Sequence, residues 1–333
     1  MKILRNMAAL ILLITLFSGL VACSKSPESL KELGVKVGDF IKVNIPEGTT
    51  LSQVADILEQ EGVVDSSLAF RLYVQMEGKD KNIIPGEYDM VVGSTYESVL
   101  SMLMEGPPIQ TYNISIPEGF TLKQISERVG ENTKISKAQF DYYLNPGFYE
   151  YEFLGGVSSL EGFLFPKTYE VLRDATAKDF IVMMLEQFKS ETSSLEFISM
   201  DPLNLSFYDV VKIASLIERE AYVDEERELI SAVIYNRLKK DMLLQIDASV
   251  RYGIDKWDDD LTISDLQSTD NLYNSYVYKG LPPTPICNPG LKSILAALDP
   301  ADVDYLYYVN PDPVNNRTHL FTDNEQEFYD FQK

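Results

Sequence analysis

Histidine is all but missing from this chain. His319 is the whole complement, and cysteine stops at two, Cys23 and Cys287. No Cys/His zinc cluster can be assembled from so few ligands. A Ser-His-Asp triad would have to use His319, and no G-x-S-x-G elbow accompanies it. Neither G-x-G-x-x-G nor a Walker A sequence occurs. Positive charge is scarce as well: 29 Lys and Arg stand against 51 Asp and Glu, a formal charge of −22. That balance argues against a nucleic-acid binder, which must neutralise phosphates. If the chain is an enzyme, carboxylates are the foremost acid–base groups left to it.

What is present describes a globular protein. A hydrophobic content of 45% with 24% charged residues is enough for a real core. The 333 residues suggest one large or two to three smaller domains. Twenty residues are tyrosine. Tyrosine supplies flat, hydrogen-bonding contact area that suits sugar or protein surfaces and ordinary cores alike.

The first residues read as an address. Lys2 and Arg5 precede an apolar run from Met7 to Ala22. The run is short for a spanning helix, which wants about 20 residues, and fits a secretory signal better. It closes on "LVAC", Leu20 to Cys23. Small residues before a cysteine at that point resemble the lipobox of bacterial lipoproteins, in which the cysteine is lipidated and becomes the mature N-terminus. The competing reading is an uncleaved signal anchor. Either one puts residues 24–333 on the outer face of the cell membrane and leaves Cys287 a lone thiol. The expected organisation is a signal peptide at 1–22, a lipidated N-terminus and tether at 23–36, a small module at 37–109 and a larger domain at 110–333.

An internal repeat marks the start of each unit. "IPEGTTLSQVADIL" (45–58) and "IPEGFTLKQISERV" (116–129) agree at 7 of 14 positions. Each reads as a short strand, a Pro-Glu-Gly turn, and a helix capped by Thr50 or Thr121 with a glutamine three residues on. Between the copies, "SSLAFRLYVQM" reads as helix and "IIPGEYDMVVGSTYESVLSMLMEG" as strand, turn and helix. Residues 130–205 read mainly as helix and loop. Phe163, Phe165 and Tyr169 in "LEGFLFPKTYEV" do not settle strand or helix by their spacing. The fold class expected is α+β.

The sharpest feature is "IASLIEREA", 213–221. At about 100° per residue, Val210, Ile213, Ala214, Ile217 and Ala221 form one face. Glu220 lies at one edge of it, beside Ile217, Leu216 and Ile213, and Glu218 at the other, near Ser215, Ala214 and Val211. Desolvation beside bulky apolar residues raises a carboxyl pKa and keeps it protonated, as a general acid requires. Glutamates at such an edge are more commonly solvated boundary residues. A second helix follows, with Asp224 as its expected cap and Asn236 and Arg237 near its end. In "LLQIDASVRYGI", Gln245 and Asp247 point the same way if the piece is extended. The proline-rich stretch 271–290, with Asn274 and Tyr276 at its start, is a stiff loop. A helix ("LKSILAALDP"), a strand ("DYLYYV"), and a strand with a closing helix ("RTHLFTDNEQEFYDFQ") complete the chain.

"IASLIEREA", "NRL", "LLQIDASVRYG", "YNSYVYKGLPPTPICNPG" and "YLYYV…THLFTDN" occur in an order and spacing that resemble the MltG-type (YceG-like) endolytic murein transglycosylases. "IIPGEYDMVVG", "IPEGFTLKQI" and "EGFLFPKTY" extend the resemblance over about 40–330. It implies a LysM-like module at 37–109 that touches glycan and a mixed α+β catalytic domain at 110–333. The family's essential glutamate, the second of its E-x-E, falls on Glu220. The family is usually anchored by a transmembrane helix, from which the lipobox departs. The implied reaction is cleavage of MurNAc–GlcNAc bonds in nascent strands to give 1,6-anhydroMurNAc ends, which terminates strand elongation. It needs neither metal nor organic cofactor. Gln245, Asp247, Asn274 and Tyr276 are candidates for holding sugars, and peptidoglycan synthases such as penicillin-binding proteins are the expected partners. The alternative from another class is a non-catalytic peptidoglycan-binding lipoprotein scaffold. A third is a water-using muramidase with Asp247 as second carboxylate.

Overall fold

The computed structural model describes residues 34–195, 203–312 and 316–333. The apolar leader, the "LVAC" sequence and Cys23 lie outside the described residues. Among the described residues no helix is long and apolar enough to cross a membrane. The chain divides after Gln110 into two compact units.

In the first unit, β1 (Phe40–Ile45) and β2 (Gly86–Val91) pair antiparallel, with Phe40 opposite Val91. Between them run α1 (Leu51–Gln60) and α2 (Ser67–Met76), and α3 (Tyr96–Glu105) follows. Strand alternation turns Val43, Ile45, Tyr88 and Met90 to one face. They are buried against Val54, Ala55 and Leu58 of α1 and Phe70 and Val74 of α2. The capping box expected at Thr50 and Gln53 starts α1, and its twin at Thr121 and Gln124 starts α4 (Leu122–Asn132) in the second unit.

The second unit opens with β3 (Thr111–Ser115), then α4 and α5 (Lys137–Tyr142). β3 pairs antiparallel with β4 (Thr168–Leu172), a strand within the stretch expected to be helix and loop. Phe163 and Phe165 belong to a buried turn, and only Tyr169 and Val171 alternate inward on the strand. α6 (Ala177–Thr192), α7 (Phe207–Glu220), α8 (Arg227–Lys239), α9 (Asp247–Ile254), α10 (Ile263–Gln267) and α11 (Leu291–Leu298) follow. The antiparallel pair β5 (Tyr307–Val309) and β6 (Leu320–Thr322) and a closing helix, α12 (Glu325–Phe331), end the chain. Asp224 does not cap α8. A 3-10 turn over Asp224–Glu226 precedes that helix, and the Asp224 carboxylate pairs instead with Arg227 Nε at 3.2 Å and with Lys292.

The core of this unit is α7, packed against α8, α9 and α11. The Ser206–Asp209 capping box starts it, and three turns hold it from the side. The Ser215 hydroxyl accepts the Ile286 N–H at 3.0 Å, which pins the proline-rich loop to the middle of α7. Asn288, fully buried in that loop, ties it to the other two turns. Its Oδ1 accepts the N–H groups of Gly162 and Leu164 at 3.0 and 2.9 Å. Its Nδ2 donates to the Phe120 carbonyl at 2.9 Å and to Glu161 Oε1 at 2.8 Å. Glu161 in turn accepts the Leu122 N–H that opens α4 and the Tyr252 hydroxyl, 3.1 and 3.0 Å away. Burial pushes the Glu161 carboxyl up to about 8 against these bonds. The "IPEGF", "EGFLFP" and "CNPG" motifs are thus one interlocked junction beneath α7.

Two substitutions test that junction. Asn288→Ala leaves several buried polar groups without partners, an expected loss of about 3 kcal/mol. That loss corresponds to a melting midpoint lowered by about 6–12 °C, read by circular dichroism. Gly162 has φ +92°, and an added Cβ would lie 2.7 Å from Pro285 Cγ and 2.8 Å from Val211 Cγ1. Gly162→Ala is therefore expected to destabilise comparably. Midpoints within about 2 °C of the parent for both would refute the junction's importance.

Candidate active site

α7 carries its apolar face to its very end and then presents two glutamates. Val210, Val211, Ile213, Ala214, Leu216 and Ile217 are completely buried. The helix stops because Ala221 turns extended, at φ −74° and ψ 119°. Glu218 faces inward, to the start of α11. Its Oε2 accepts the Gly290 N–H at 3.0 Å and the Ser293 hydroxyl at 2.8 Å, with Arg227 Nη1 at 3.5 Å. The positive end of the α11 dipole adds to these contacts. Glu218 is a structural clamp between α7 and α11. Burial raises its pKa, and Arg227 and the two hydrogen bonds oppose the rise.

Glu220 faces a different environment. It is half-buried, enclosed by protein with one edge open to a cleft. Among the described residues one hydrogen bond reaches it: the Tyr308 hydroxyl donates to Oε2 at 2.9 Å. Burial raises the Glu220 pKa, and the negative charge of Asp247 raises it further. The Tyr308 bond, His319 and Arg219 act the other way without cancelling the rise. Such a carboxyl holds its proton at higher pH than a solvated one, as a general acid must.

Tyr308 is the middle residue of β5, opposite Phe321 of β6. His319, just before β6, packs edge-on against the Tyr308 ring, 5.3 Å between centroids. Glu226 holds the histidine twice. Its Oε1 accepts the His319 backbone N–H at 2.7 Å, and its Oε2 lies 2.7 Å from Nδ1. The β5–β6 hairpin is thereby fixed to the chain just beyond α7, with the Tyr308 hydroxyl aimed at Glu220.

Glu220, Asp247 and His319 form the shared wall of two adjoining clefts, of about 580 Å³ and about 500 Å³. The first also takes in Gln245, Tyr276, Tyr308 and Arg237. Three of the four candidate sugar-holding residues therefore meet Glu220. Gln245 and Asp247 do not share an extended strand. Gln245 is left-handed, at φ +54°, and Asp247 is the first residue of α9. Both still reach the cleft. The Tyr276 hydroxyl donates to Asp247 Oδ1 at 2.7 Å, and Arg237 Nη1 donates to Gln245 Oε1 at 3.3 Å. Asn274 stands apart. It is fully buried, and its Nδ2 donates to the carbonyls of Asp265, Leu266 and Ser268 at 3.2, 3.1 and 2.9 Å. Its Oδ1 accepts the Tyr276 N–H at 3.0 Å, so it positions Tyr276 and does not reach the cleft.

Tyr308 and the Glu226–His319 pair were not singled out in the sequence. Tyr308 stood only in the "YLYYV" motif and His319 only as the lone histidine within "THLF", and Glu226 carried no signal. Among the described residues no group of three or more His, Cys, Asp or Glu is arranged to hold a metal ion. Cys287 is buried, its thiol donating to the Ser215 carbonyl, and belongs to the junction.

Similarity to known proteins identifies the family. The model of the YceG-like family matches residues 43–333. The endolytic murein transglycosylase of Bacillus subtilis (strain 168) is 34% identical over 284 residues, covering 81% of this chain and 78% of the relative. The protein of the same name from Streptococcus pneumoniae (strain ATCC BAA-255 / R6) is 28% identical over 313 residues, 85% of this chain. This chain spans just over half, 56%, of that relative's length. A crystal structure at 2.6 Å of a YceG-like protein from Listeria monocytogenes superposes with a TM-score of 0.57 at 29% identity, covering 88% of this chain and 99% of that one. The chain belongs to the YceG-like family.

Proposed function

We propose that this protein is an endolytic peptidoglycan lytic transglycosylase whose acid–base group is Glu220. The observation that carries the reading is the Glu220 carboxyl itself, desolvated at the end of an apolar helix and opening onto clefts on either side. Both relatives described above are named endolytic murein transglycosylases. A groove that continues past the reacting group in both directions suits attack within a strand.

In the proposed reaction Glu220 gives its proton to the glycosidic oxygen on MurNAc C1. The C1–O bond breaks and GlcNAc leaves with that proton. The C6 hydroxyl of the same MurNAc then bonds to C1, and its proton passes to the Glu220 carboxylate. The product is a 1,6-anhydroMurNAc end, and the enzyme returns to its starting state. No water is consumed, so one carboxylate serves where a glycosidase needs two. Tyr308 steadies the carboxylate between the two transfers. Asp247, held by Tyr276, is a fixed negative charge beside the developing positive centre.

A second reading has one observation in its favour. Asp247 shares the cleft with Glu220 and couples to it electrostatically. A muramidase would use Asp247 to direct water, and its product would be a reducing MurNAc end. The first unit supports a glycan-contacting, LysM-like role: a shallow cleft of about 470 Å³ runs along the Pro46–Thr49 turn and α1. The "LVAC" sequence supports lipid anchoring through Cys23 on the outer face of the membrane. Anchoring there, beside the peptidoglycan synthases, suits cuts in nascent strands that end their elongation.

Digestion of uncross-linked glycan is the direct test. The parent is expected to release anhydro-ended fragments, and Glu220→Gln to lower that rate by about 100-fold or more while melting normally. Full activity in Glu220→Gln would remove Glu220 from its role. Binding without any cleavage by the parent would indicate a scaffold, and reducing ends a muramidase.

The pH profile gives a second test. The alkaline limb of kcat/KM follows deprotonation of the free enzyme's general acid. Tyr308→Phe removes a bond that favours the carboxylate, so the limb is expected to move to higher pH. Asp247→Asn removes a charge that disfavours the carboxylate, so its limb is expected to move to lower pH. Shifts in the same direction, or none, would contradict Glu220 as the titrating group.

A further inference from the structure

The second cleft does not end at the acid. It runs from Glu220 and Asp247 to Trp257, and Trp257 also walls a third cleft of about 400 Å³. Three clefts thus adjoin in series, with Glu220 at the first boundary and Trp257 at the second. Trp257 is the only tryptophan in the chain. It is half-buried, and the Arg219 guanidinium lies over its ring, 4.2 Å from the centroid. Arg219 is fixed in turn, its Nη1 donating to the Gly119 carbonyl at 3.3 Å. A stacked arginine on a large aromatic ring is a stiff pair, and this arginine is the residue immediately before Glu220. Beyond Trp257 the third cleft is walled by Tyr252 and Tyr273, which meet edge-on at 4.9 Å, with the Glu161 carboxyl also lining it.

Resting on the transglycosylase reading above, we propose that Trp257 is a sugar-binding platform on the strand's path. One hexosamine residue of the glycan, on the second-cleft side of the scissile bond, packs its apolar C–H face against the indole. The chemistry fits the occupant. A pyranose ring is apolar on its faces and polar at its rim, and the platform is an aromatic surface flanked by charged and hydroxyl-bearing side chains. The burial of Trp257 against Arg219 limits its freedom before the sugar arrives, so little ordering entropy is lost on binding. The platform is remote from the broken bond. It adds binding common to ground and transition states, which lowers KM and leaves kcat nearly unchanged.

The lone tryptophan makes the site its own reporter. Titrating the full chain carrying Glu220→Gln with uncross-linked glycan oligosaccharides of increasing length is expected to shift or quench the emission, saturably. Binding is expected to tighten once the oligosaccharide is long enough to reach Trp257. In the active parent, Trp257→Ala is expected to raise KM for long strands about tenfold, with kcat within about twofold, and Trp257→Phe to recover most of the loss. If Trp257→Ala does not fold, the titration of the native tryptophan still decides. Cleavage by the parent with silent emission and an unchanged KM in Trp257→Ala would overturn the platform and leave the transglycosylase reading standing. Glycan neither bound nor cleaved would overturn both.

Discussion

A carboxylate taken out of water must be met by donors or give up its charge. That constraint organises the second unit, because four glutamates sit in its interior or at its inner edge. Glu161 is met by a backbone N–H, an amide and a tyrosine hydroxyl. Glu218 is met by a backbone N–H, a serine hydroxyl and an arginine. Glu226 is met by both nitrogens that His319 offers on its near side. Among the described residues Glu220 has one donor, the Tyr308 hydroxyl. The first three are satisfied and hold the fold together. The fourth is undersupplied, and the groups that fix its only partner are themselves fixed by the others. Glu226 holds His319, His319 packs on Tyr308, and Tyr308 reaches Glu220. Glu218 anchors the same helix end to α11. Glu220 is thus the one of the four whose neighbours leave its carboxyl least supplied with donors.

The donors are drawn from a restricted set. With 29 basic residues against 51 acidic ones, cations cannot meet every carboxylate. Tyrosine fills the gap repeatedly. Tyr308 serves Glu220, Tyr276 serves Asp247, Tyr252 serves Glu161, and Tyr151 serves Glu186. Tyr96 does the same for Asp65 in the first unit. A neutral hydroxyl differs from an arginine at such a position. It favours the ionised form only modestly, whereas a close cation lowers a carboxyl pKa strongly. An arginine at the place of Tyr308 would hold Glu220 ionised and unable to act as an acid. The abundance of tyrosine and the poverty in cations are thus one property, and it leaves Glu220 with a hydroxyl partner and a raised pKa.

Local signals in the sequence carried over well, and long-range ones did not. The capping boxes at Thr50 and Thr121 involve residues three apart, and both are present. Glu220 was preferred on the bulk of its neighbours within one helix, and its open edge lies in the cleft. Glu218 was legible only as a charge, because its partners Gly290 and Ser293 lie more than 70 positions away. Asn274 looked like a loop amide free to bind sugar. Three carbonyls from one nearby turn consume it, and nothing in its flanking residues announces them. Gln245 and Asp247 were paired on the supposition of a strand. A left-handed residue followed by a helix start brings both to the cleft by another route. β4 escaped notice because phenylalanines buried in a turn precede it and blur its alternation.

The form of the groove bears on the proposed attack within a strand. A site that trims ends has to close on one side of the reacting group. Here Glu220 stands between two clefts, and Asp247 and His319 line both. On the proposed reading, neither residue blocks the strand, and what orients the sugar acts from the walls. Each wall has one rigid element near the acid. On one side Arg237 holds Gln245 and the segment before β5, donating to the carbonyls of Leu244 and Leu306 at 2.7 and 2.6 Å. On the other, Arg219 clamps Trp257. Both arginines are held by other partners, Arg237 by carbonyls and Arg219 by the indole and the Gly119 carbonyl. Arg219 lowers the Glu220 pKa without overcoming burial. The contacts that stiffen the two walls thus engage both guanidinium groups, and the Glu220 carboxyl pKa stays raised.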